Sequence, residues 1–120
     1  WNSLGIHYEV VNICTGDMGT VASKKYDLEA WIPGADQYKE IVSCSNCTDY
    51  QANRLGIRYG QPGHPNQPIV HTLNSTAVAT SRALVAIMEQ YQLDDGRVAV
   101  PDVLQPFMGG QEVLEPCPWG

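Results

Sequence analysis

The sequence predicts an α+β fold in which a mainly antiparallel sheet is flanked by helices. Strand-like segments follow one another across short turns, as in β-hairpins, and helical periodicity is strongest over residues 80–92. The 120 residues, 43% of them hydrophobic, suit a single domain with one core. Hairpin-connected strands with helices interspersed indicate this fold class.

Three strands are predicted in the first half of the chain. Residues 8–15 are rich in β-branched and aromatic side chains and end at the turn-forming residues 16–19. Residues 25–32 alternate polar with apolar side chains as far as the Pro-Gly break at residues 33–36. Because residues 38–45 are extended again, the short turn predicts an antiparallel hairpin.

A short helix is predicted over residues 49–55, with Thr48 as its N-cap and Gly56 closing its C-terminal end. Residues 61–68 contain three prolines and a glycine, so they predict a surface loop. Residues 69–73 predict the strand that follows this loop.

The second helix has the clearest pattern in the chain. Thr80 or Ser81 is predicted to cap it, and it extends to about Gln92. Apolar side chains recur at three- and four-residue spacing on its predicted buried face: Leu84, Ile87, Met88 and Tyr91.

The last part of the chain begins with a turn at residues 94–96 and an extended segment at residues 97–100. Pro101 is predicted to open a short helix that ends near Leu104. Residues 115–120 are predicted to be irregular.

The charge of the chain argues against a nucleic-acid surface of its own. Lys and Arg number 7 against 13 Asp and Glu, so the net charge is −6 with His neutral. No apolar run approaches the roughly 18 residues of a membrane helix and no export signal is present, so a soluble chain without membrane contact is predicted. Because it opens at Trp1 without an initiator Met, we expect it to have been cut from a longer chain.

The four cysteines favour free thiols over two disulfides, because 120 residues with an ordinary core need no cross-links. Cys44 and Cys47 have the CxxC spacing of a redox site or half a zinc site. The three histidines do not lie at zinc-finger spacing, so the favoured interpretation is thiols packed in a strand and turn. The remaining cysteines are Cys14 and Cys117.

The common one-line enzyme motifs are absent, so chemistry is sought in groups of residues. Glu40 and Ser43 offer a carboxylate and a hydroxyl, the hard oxygen ligands that Mg²⁺ prefers beside phosphate, although the pattern alone favours a solvated strand face. Arg82 lies at the start of the second helix, where it would attract an anion such as a triphosphate or pair with a local carboxylate. A polar run from Thr72 to Thr80 suits a small polar pocket or ordinary turn chemistry.

Five longer segments together closely resemble seryl-tRNA synthetase, a family of class II aminoacyl-tRNA synthetases. The resemblance covers about nine tenths of the chain, and the SCSN run before DYQ and the TLN run before an arginine are specific to this family. The matching strings are CTGDMG at 14–19, KKYDLEAWIPG at 24–34, YKEIVSCSNCTDYQANRLGIRY at 38–59, VHTLNSTAVATSRALVAIMEQYQ at 70–92 and DGRVAVPDVLQPFMGG at 95–110.

The resemblance implies a nucleotide site. TLNSTAVATSR corresponds to class II motif 3, whose arginine, here Arg82, engages the terminal phosphate of ATP and is implied to be catalytic. The segment Glu40, Ile41, Val42 and Ser43 corresponds to the ATP-binding strand of the family. Within it, Glu40 is implied to be catalytic, and Glu40 and Ser43 are implied to hold Mg²⁺ near the phosphates.

The resemblance also implies a serine site. Thr76 falls where the family places a hydroxyl contact to substrate serine, and Asn74 lies beside it. The implied reaction is the ATP- and Mg²⁺-dependent activation of L-serine to seryl-adenylate, followed by transfer to tRNA(Ser) in a cytoplasmic homodimer.

Parts of the family pattern are missing from this sequence. Residues 1–120 correspond to the C-terminal portion of the catalytic domain, whereas the tRNA-binding N-terminal arm and motifs 1 and 2 have no counterpart. The isolated chain is therefore expected to have little or no activity. Two alternatives stay open at this point: a truncated synthetase paralogue acting as a binding or regulatory module, and a ligase that charges a carrier protein.

Overall fold

The computed structural model describes residues 1–117. The last three residues of the predicted irregular tail lie outside the described residues. The strands are β1 (Tyr8–Asn12), β2 (Lys24–Ile32), β3 (Gln37–Thr48), β4 (Thr72–Ser75), β5 (Val98–Ala99) and β6 (Val113–Leu114), and the α-helices are α1 (Tyr50–Leu55) and α2 (Thr80–Gln90).

The sheet confirms the predicted α+β class. Strands β1 to β4 form a four-stranded sheet in sequence order, and β5 and β6 form a separate antiparallel pair. Only four residues, including a 3₁₀ turn at Pro33–Ala35, connect β2 to β3. Because a parallel crossover needs a dozen residues or more, this connection makes the predicted antiparallel hairpin.

The described chain divides into two compact units. Unit 1 contains Trp1–Glu9, Glu29–Ile41 and the chain from Val78 onward. Its helix α2 presents small side chains to the interior, since Ala83 and Ala86 are buried. The other buried apolar side chains of this unit are Ile6, Ala30, Ile32, Ile41, Val98 and Val100.

Gln90 attaches α2 to the strands of unit 1. Its Oε1 accepts a hydrogen bond from the backbone N–H of His7 at 2.7 Å. Its Nε2 donates to the carbonyl oxygens of His7 at 3.0 Å and Trp31 at 2.7 Å. One side chain thus bonds to three backbone groups at the helix contact, one of which, the His7 carbonyl, also accepts from the Trp31 N–H at 3.1 Å.

Unit 2 contains Val10–Leu28 and Val42–Ala77. In it β3 pairs antiparallel with β4, with Ser45 opposite Asn74. Its buried apolar residues include Val42, Cys47 and Ala52. Asp27 is also buried, and its Oδ2 lies 3.2 Å from the Lys25 ammonium.

The short helix α1 begins one residue later than predicted. Asp49, not Thr48, occupies the N-cap position, and neither side chain caps the helix. Thr48 ends β3 with a φ of 44°, and its N–H donates to the Asn46 side chain. The predicted C-terminal role of Gly56 is confirmed, because it adopts φ 67° and its N–H donates to the carbonyl of Ala52.

The sequence predicted the wrong buried face for helix α2. Leu84 and Met88 are 61% and 53% exposed, whereas the interior is filled by Ala83 and Ala86. Periodicity identifies a helix, but it does not say which of two neighbouring apolar stripes packs. The helix also starts without a hydroxyl cap, because Ala79 occupies the N-cap.

Other boundaries also differ from the prediction, and β1 ends at Asn12 instead of Thr15. The strand predicted over 69–73 is formed by β4 at Thr72–Ser75, and Ile69 makes only an isolated bridge with Arg58. The helix predicted from Pro101 to Leu104 is a turn, and a 3₁₀ helix follows at Gln105–Met108. Here Pro106, not Pro101, occupies the first turn.

The four cysteines are free thiols, as predicted. Over residues 1–117, no helix combines the length and the apolar character needed to cross a membrane.

Candidate functional site

A cavity of about 540 Å³ opens in unit 1 between the end of β2, β3 and the start of α2. Its lining combines an apolar floor with charged side chains, a combination typical of small-molecule sites. The lining residues are Ile32, Lys39, Glu40, Ile41, Ser81, Arg82 and Val85.

Two elements supply the polar groups. Strand β3 contributes consecutive residues that include Lys39 and Glu40. The first turns of α2 contribute Ser81, Arg82 and Val85, whose three- and four-residue separations place them on one side of a helix.

Glu40 and Arg82 form an ion pair in this cavity although 42 residues separate them in the sequence. The Arg82 Nη1 donates to the Glu40 Oε1 at 2.6 Å and also to the Glu40 carbonyl oxygen at 3.2 Å. The two side chains are 52% and 40% exposed, so the pair contributes at most about 1 kcal/mol to folding. It fixes the orientation of the guanidinium more than it stabilises the unit.

The pair also explains an arginine in the first turn of a helix. A cation there opposes the helix dipole, and α2 has no side-chain cap to offset it. The Glu40 carboxylate lies against the guanidinium and compensates for this placement.

Lys39 lines the same cavity, which sequence reasoning missed. Strict alternation along a strand predicts the face opposite Glu40 for Lys39, so the sequence pattern does not group the two residues. The only signal in the sequence is its position next to the candidate carboxylate. Within residues 1–117 no carboxylate forms an ion pair with the Lys39 ammonium.

Of the other predicted residues of the ATP-binding segment, only one lines the cavity. Ile41 is 2% exposed and lines the cavity, and Val42 is buried. Ser43 is half-buried and is not among the lining residues.

The two predicted serine-binding residues lie in unit 2. Asn74 is an exposed residue of β4 opposite Ser45. Thr76 directly follows β4 and is also exposed. Their hydroxyl and amide groups are available to a polar ligand.

A metal site made of protein ligands alone is not found in the described part of the chain, where no three His, Cys, Asp or Glu side chains cluster. Cys47, at the second position of the CxxC spacing, is 1% exposed. Mg²⁺ commonly takes one or two carboxylates together with substrate phosphates and water. The Glu40 carboxylate, which lies in an open cavity, fits that kind of site.

Residues 1–91 match the sequence profile of the tRNA synthetase class II core domain (G, H, P, S and T). The chain belongs to this class II core-domain family. The fold agrees with that membership, since a mainly antiparallel sheet with few helices also matches solved structures of seryl-tRNA synthetases.

Relatives of this class II core domain include serine–tRNA ligases. The one from Archaeoglobus fulgidus is 57% identical over 119 residues, which cover 98% of this chain and 26% of the relative. The one from Methanocorpusculum labreanum is 59% identical over 116 residues, 95% of this chain and 27% of the relative. The chain thus spans about a quarter of the length of the curated relatives it matches.

Two solved structures superpose closely. Seryl-tRNA synthetase from Pyrococcus horikoshii, complexed with ATP, has a TM-score of 0.91 and 54% identity, covering 97% of this chain and 26% of that one. The cytoplasmic serine–tRNA ligase from Naegleria fowleri, in complex with AMP, has a TM-score of 0.87 and 53% identity, covering 95% of this chain and 27% of that one. The resemblance drawn from the sequence motifs is confirmed.

Proposed function

We propose that this chain forms part of the adenylation site of a serine–tRNA ligase. In this proposal it contributes ATP, Mg²⁺ and serine contacts to the formation of seryl-adenylate, and the complete polypeptide then transfers serine to tRNA(Ser). The observation that carries the proposal is the cavity in which Arg82 and Glu40 meet, in a chain more than half identical to serine–tRNA ligases.

The reaction needs positioning and charge neutralisation more than a protein nucleophile. A serine carboxylate oxygen forms a bond to the α-phosphorus of ATP, and the bond from that phosphorus to the bridging oxygen breaks. The electron pair of the broken bond leaves with pyrophosphate. Cations that face the phosphates stabilise the charge that accumulates in this transition state.

Arg82 supplies one such cation from α2. Its guanidinium is held by Glu40, which restricts its rotamers. A planar guanidinium with several N–H donors suits terminal phosphate oxygens.

Glu40 supplies the carboxylate that the proposed Mg²⁺ requires, and a role of Ser43 stays a prediction from the family resemblance. When bound, the ion would neutralise phosphate charge as a Lewis acid. The ATP and AMP complexes of the two structural neighbours support a nucleotide at this family's site.

We further propose that Asn74 and Thr76 select serine. A hydroxyl partner favours serine over alanine because the smaller substrate leaves a polar group unpaired. Threonine is refused by its additional methyl group. The names of the relatives support tRNA as the acceptor, so a carrier-protein ligase and a truncated regulatory paralogue are not favoured.

The remaining parts of the proposal concern the complete polypeptide. We propose that residues 1–120 form the C-terminal portion of its catalytic domain, that a separate arm reaches tRNA, and that the protein is a homodimer. A cytoplasmic location agrees with the Naegleria fowleri neighbour.

The test is serine-dependent exchange of labelled pyrophosphate into ATP by the complete polypeptide that carries this sequence. Exchange is expected with serine and Mg²⁺, and not with alanine or threonine. Exchange supported equally by these other amino acids, or no exchange with serine, would overturn the proposal.

A further inference from the structure

The cavity around Arg82 holds an unbalanced positive charge. Arg82 and Glu40 lie 2.6 Å apart and neutralise each other. Lys39 lines the same cavity and pairs with no carboxylate of residues 1–117. The three ionised side chains therefore leave one net positive charge in a chain whose total charge is −6.

We propose that Lys39 is a second cationic contact for the phosphate end of the nucleotide, and for pyrophosphate once it has left. This inference rests on the proposed function, because it adds a binding residue to the same site. Nothing in the sequence pattern of the ATP-binding segment, residues 40–43, assigns a role to Lys39.

The charge of the ligand favours such a group. A polyphosphate carries several negative charges and meets the Glu40 carboxylate in this cavity, which repels it. The Arg82 guanidinium offsets that carboxylate, so a further cation adds to the charge neutralisation that the proposed Mg²⁺ would supply. A lysine is suited to the additional task, since its ammonium is a mobile point charge that follows the phosphates as pyrophosphate departs.

Among the described residues, the Lys39 ammonium takes part in no ion pair. The matched comparison is Lys24, which is exposed on β2 but lies over the Tyr26 ring at 4.9 Å from its centroid. No ring contact of this kind involves Lys39 within residues 1–117. Lys24 does not line the cavity and is therefore the control position.

The experiment measures binding of inorganic pyrophosphate with Mg²⁺ to the complete polypeptide by calorimetry, together with serine-dependent exchange. Lys39→Gln is expected to weaken pyrophosphate binding and raise the KM for ATP by about tenfold, the low end expected for one charged contact. Lys39→Arg should retain most of the affinity, and Lys24→Gln should match the unaltered protein. The KM for serine should change by less than about twofold in all three variants.

The outcomes separate this inference from the proposed function. If Lys39→Gln binds pyrophosphate and ATP like Lys24→Gln while an Arg82→Gln variant loses exchange, the role of Lys39 is refuted and the proposed function stands. If serine supports no exchange but pyrophosphate binding still depends on Lys39, the anion site stands and the proposed function fails. Circular dichroism of each variant confirms that the exposed substitutions leave the fold intact.

Discussion

At the scale of single residues, the ion pair between Arg82 and Glu40 joins two residues that the sequence motifs identified as candidate site residues. The sequence singled out both residues, but it placed them in separate segments for separate reasons. Only the structure brings the guanidinium to 2.6 Å from the carboxylate. The proposed metal ligand and the proposed phosphate ligand are thus in direct contact.

Replacing either member of this pair should affect catalysis more than folding. Arg82→Gln in the complete polypeptide is expected to lower serine-dependent exchange by about a hundredfold, as for the loss of one transition-state donor. Glu40→Gln should also lower exchange, because it removes the proposed Mg²⁺ ligand and the group that orients Arg82. The free energy of unfolding should change by less than about 1 kcal/mol in each case, because the pair is half-exposed.

The control is Arg97→Gln, which removes another exposed arginine–carboxylate pair, with Asp95, at 2.7 Å. This variant should keep full exchange activity. Unchanged exchange kinetics in both the Arg82 and Glu40 variants would contradict the assignment of this cavity.

Asp95 provides a second prediction at this scale. The backbone N–H of Arg97, which donates to Oδ1 at 3.1 Å, and then its Nε, which donates to Oδ2 at 2.7 Å, lower the pKa of Asp95 below its usual 3.8. A depressed pKa stabilises the fold above the usual value, and this contribution is lost as the pH falls through the folded-state pKa. In an NMR titration the midpoint of the Asp95 carboxyl should therefore lie below 3.8.

Arg97→Gln should raise this midpoint only part of the way, because the backbone N–H is the larger cause and is retained. A midpoint at 3.8 or above in the unaltered protein would contradict the hydrogen-bonded turn.

At the scale of elements, the sequence correctly predicted a turn and a helix end, because these depend on residues that are neighbours in the chain. The Pro-Gly break between β2 and β3 and the glycine that ends α1 were both identified, since a turn and a left-handed residue depend on their own sequence. The prediction of which face of α2 is buried was wrong. The surface against which the helix packs, and not the helix itself, determines that alanines lie at the contact.

Gln90 is the residue of α2 whose importance was not visible in the sequence. From the sequence, a glutamine at a helix end is expected to be solvated. Gln90 instead bonds to the N–H and the carbonyl of His7, which precedes β1, and to the carbonyl of Trp31 in β2. No periodic pattern identifies such a role, because it depends on segments 59 and 83 residues away.

Gln90→Ala should lower the free energy of unfolding by about 1–3 kcal/mol, since it leaves partly buried backbone groups unpaired. Chemical denaturation monitored by circular dichroism measures this change. The matched control is Gln92→Ala, because Gln92 is exposed and its side chain makes no hydrogen bond within residues 1–117. Equal stabilities of the two variants would show that Gln90 does not hold the helix.

At the scale of the whole molecule, the net charge of the chain and the charge at the cavity have opposite signs. The net charge of −6 argues against a nucleic-acid surface on this chain, but the cavity in unit 1 is locally positive. An acidic protein can bind a polyphosphate when a few cations face one cavity, because the field near a site depends on the nearest charges.

The chain by itself is predicted to lack adenylation activity. Residues 1–120, expressed alone, should show no serine-dependent pyrophosphate exchange above background, because the chain spans only about a quarter of the length of the serine–tRNA ligases it matches. Exchange assays on the isolated chain and the complete polypeptide at equal concentration test this. Robust exchange by the isolated chain would refute it.

The sequence by itself determined the family, the antiparallel α+β class and the identity of the two charged residues that meet at the site. These follow from motif strings, hairpin turns and residue types, which are properties of neighbours along the chain. The tertiary structure decided that Arg82 contacts Glu40, that Lys39 joins them, that Ser43 does not line that cavity, and that alanines fill the interior beneath α2. Such contacts join segments dozens of residues apart, and their geometry is set by how strands and helix pack against one another.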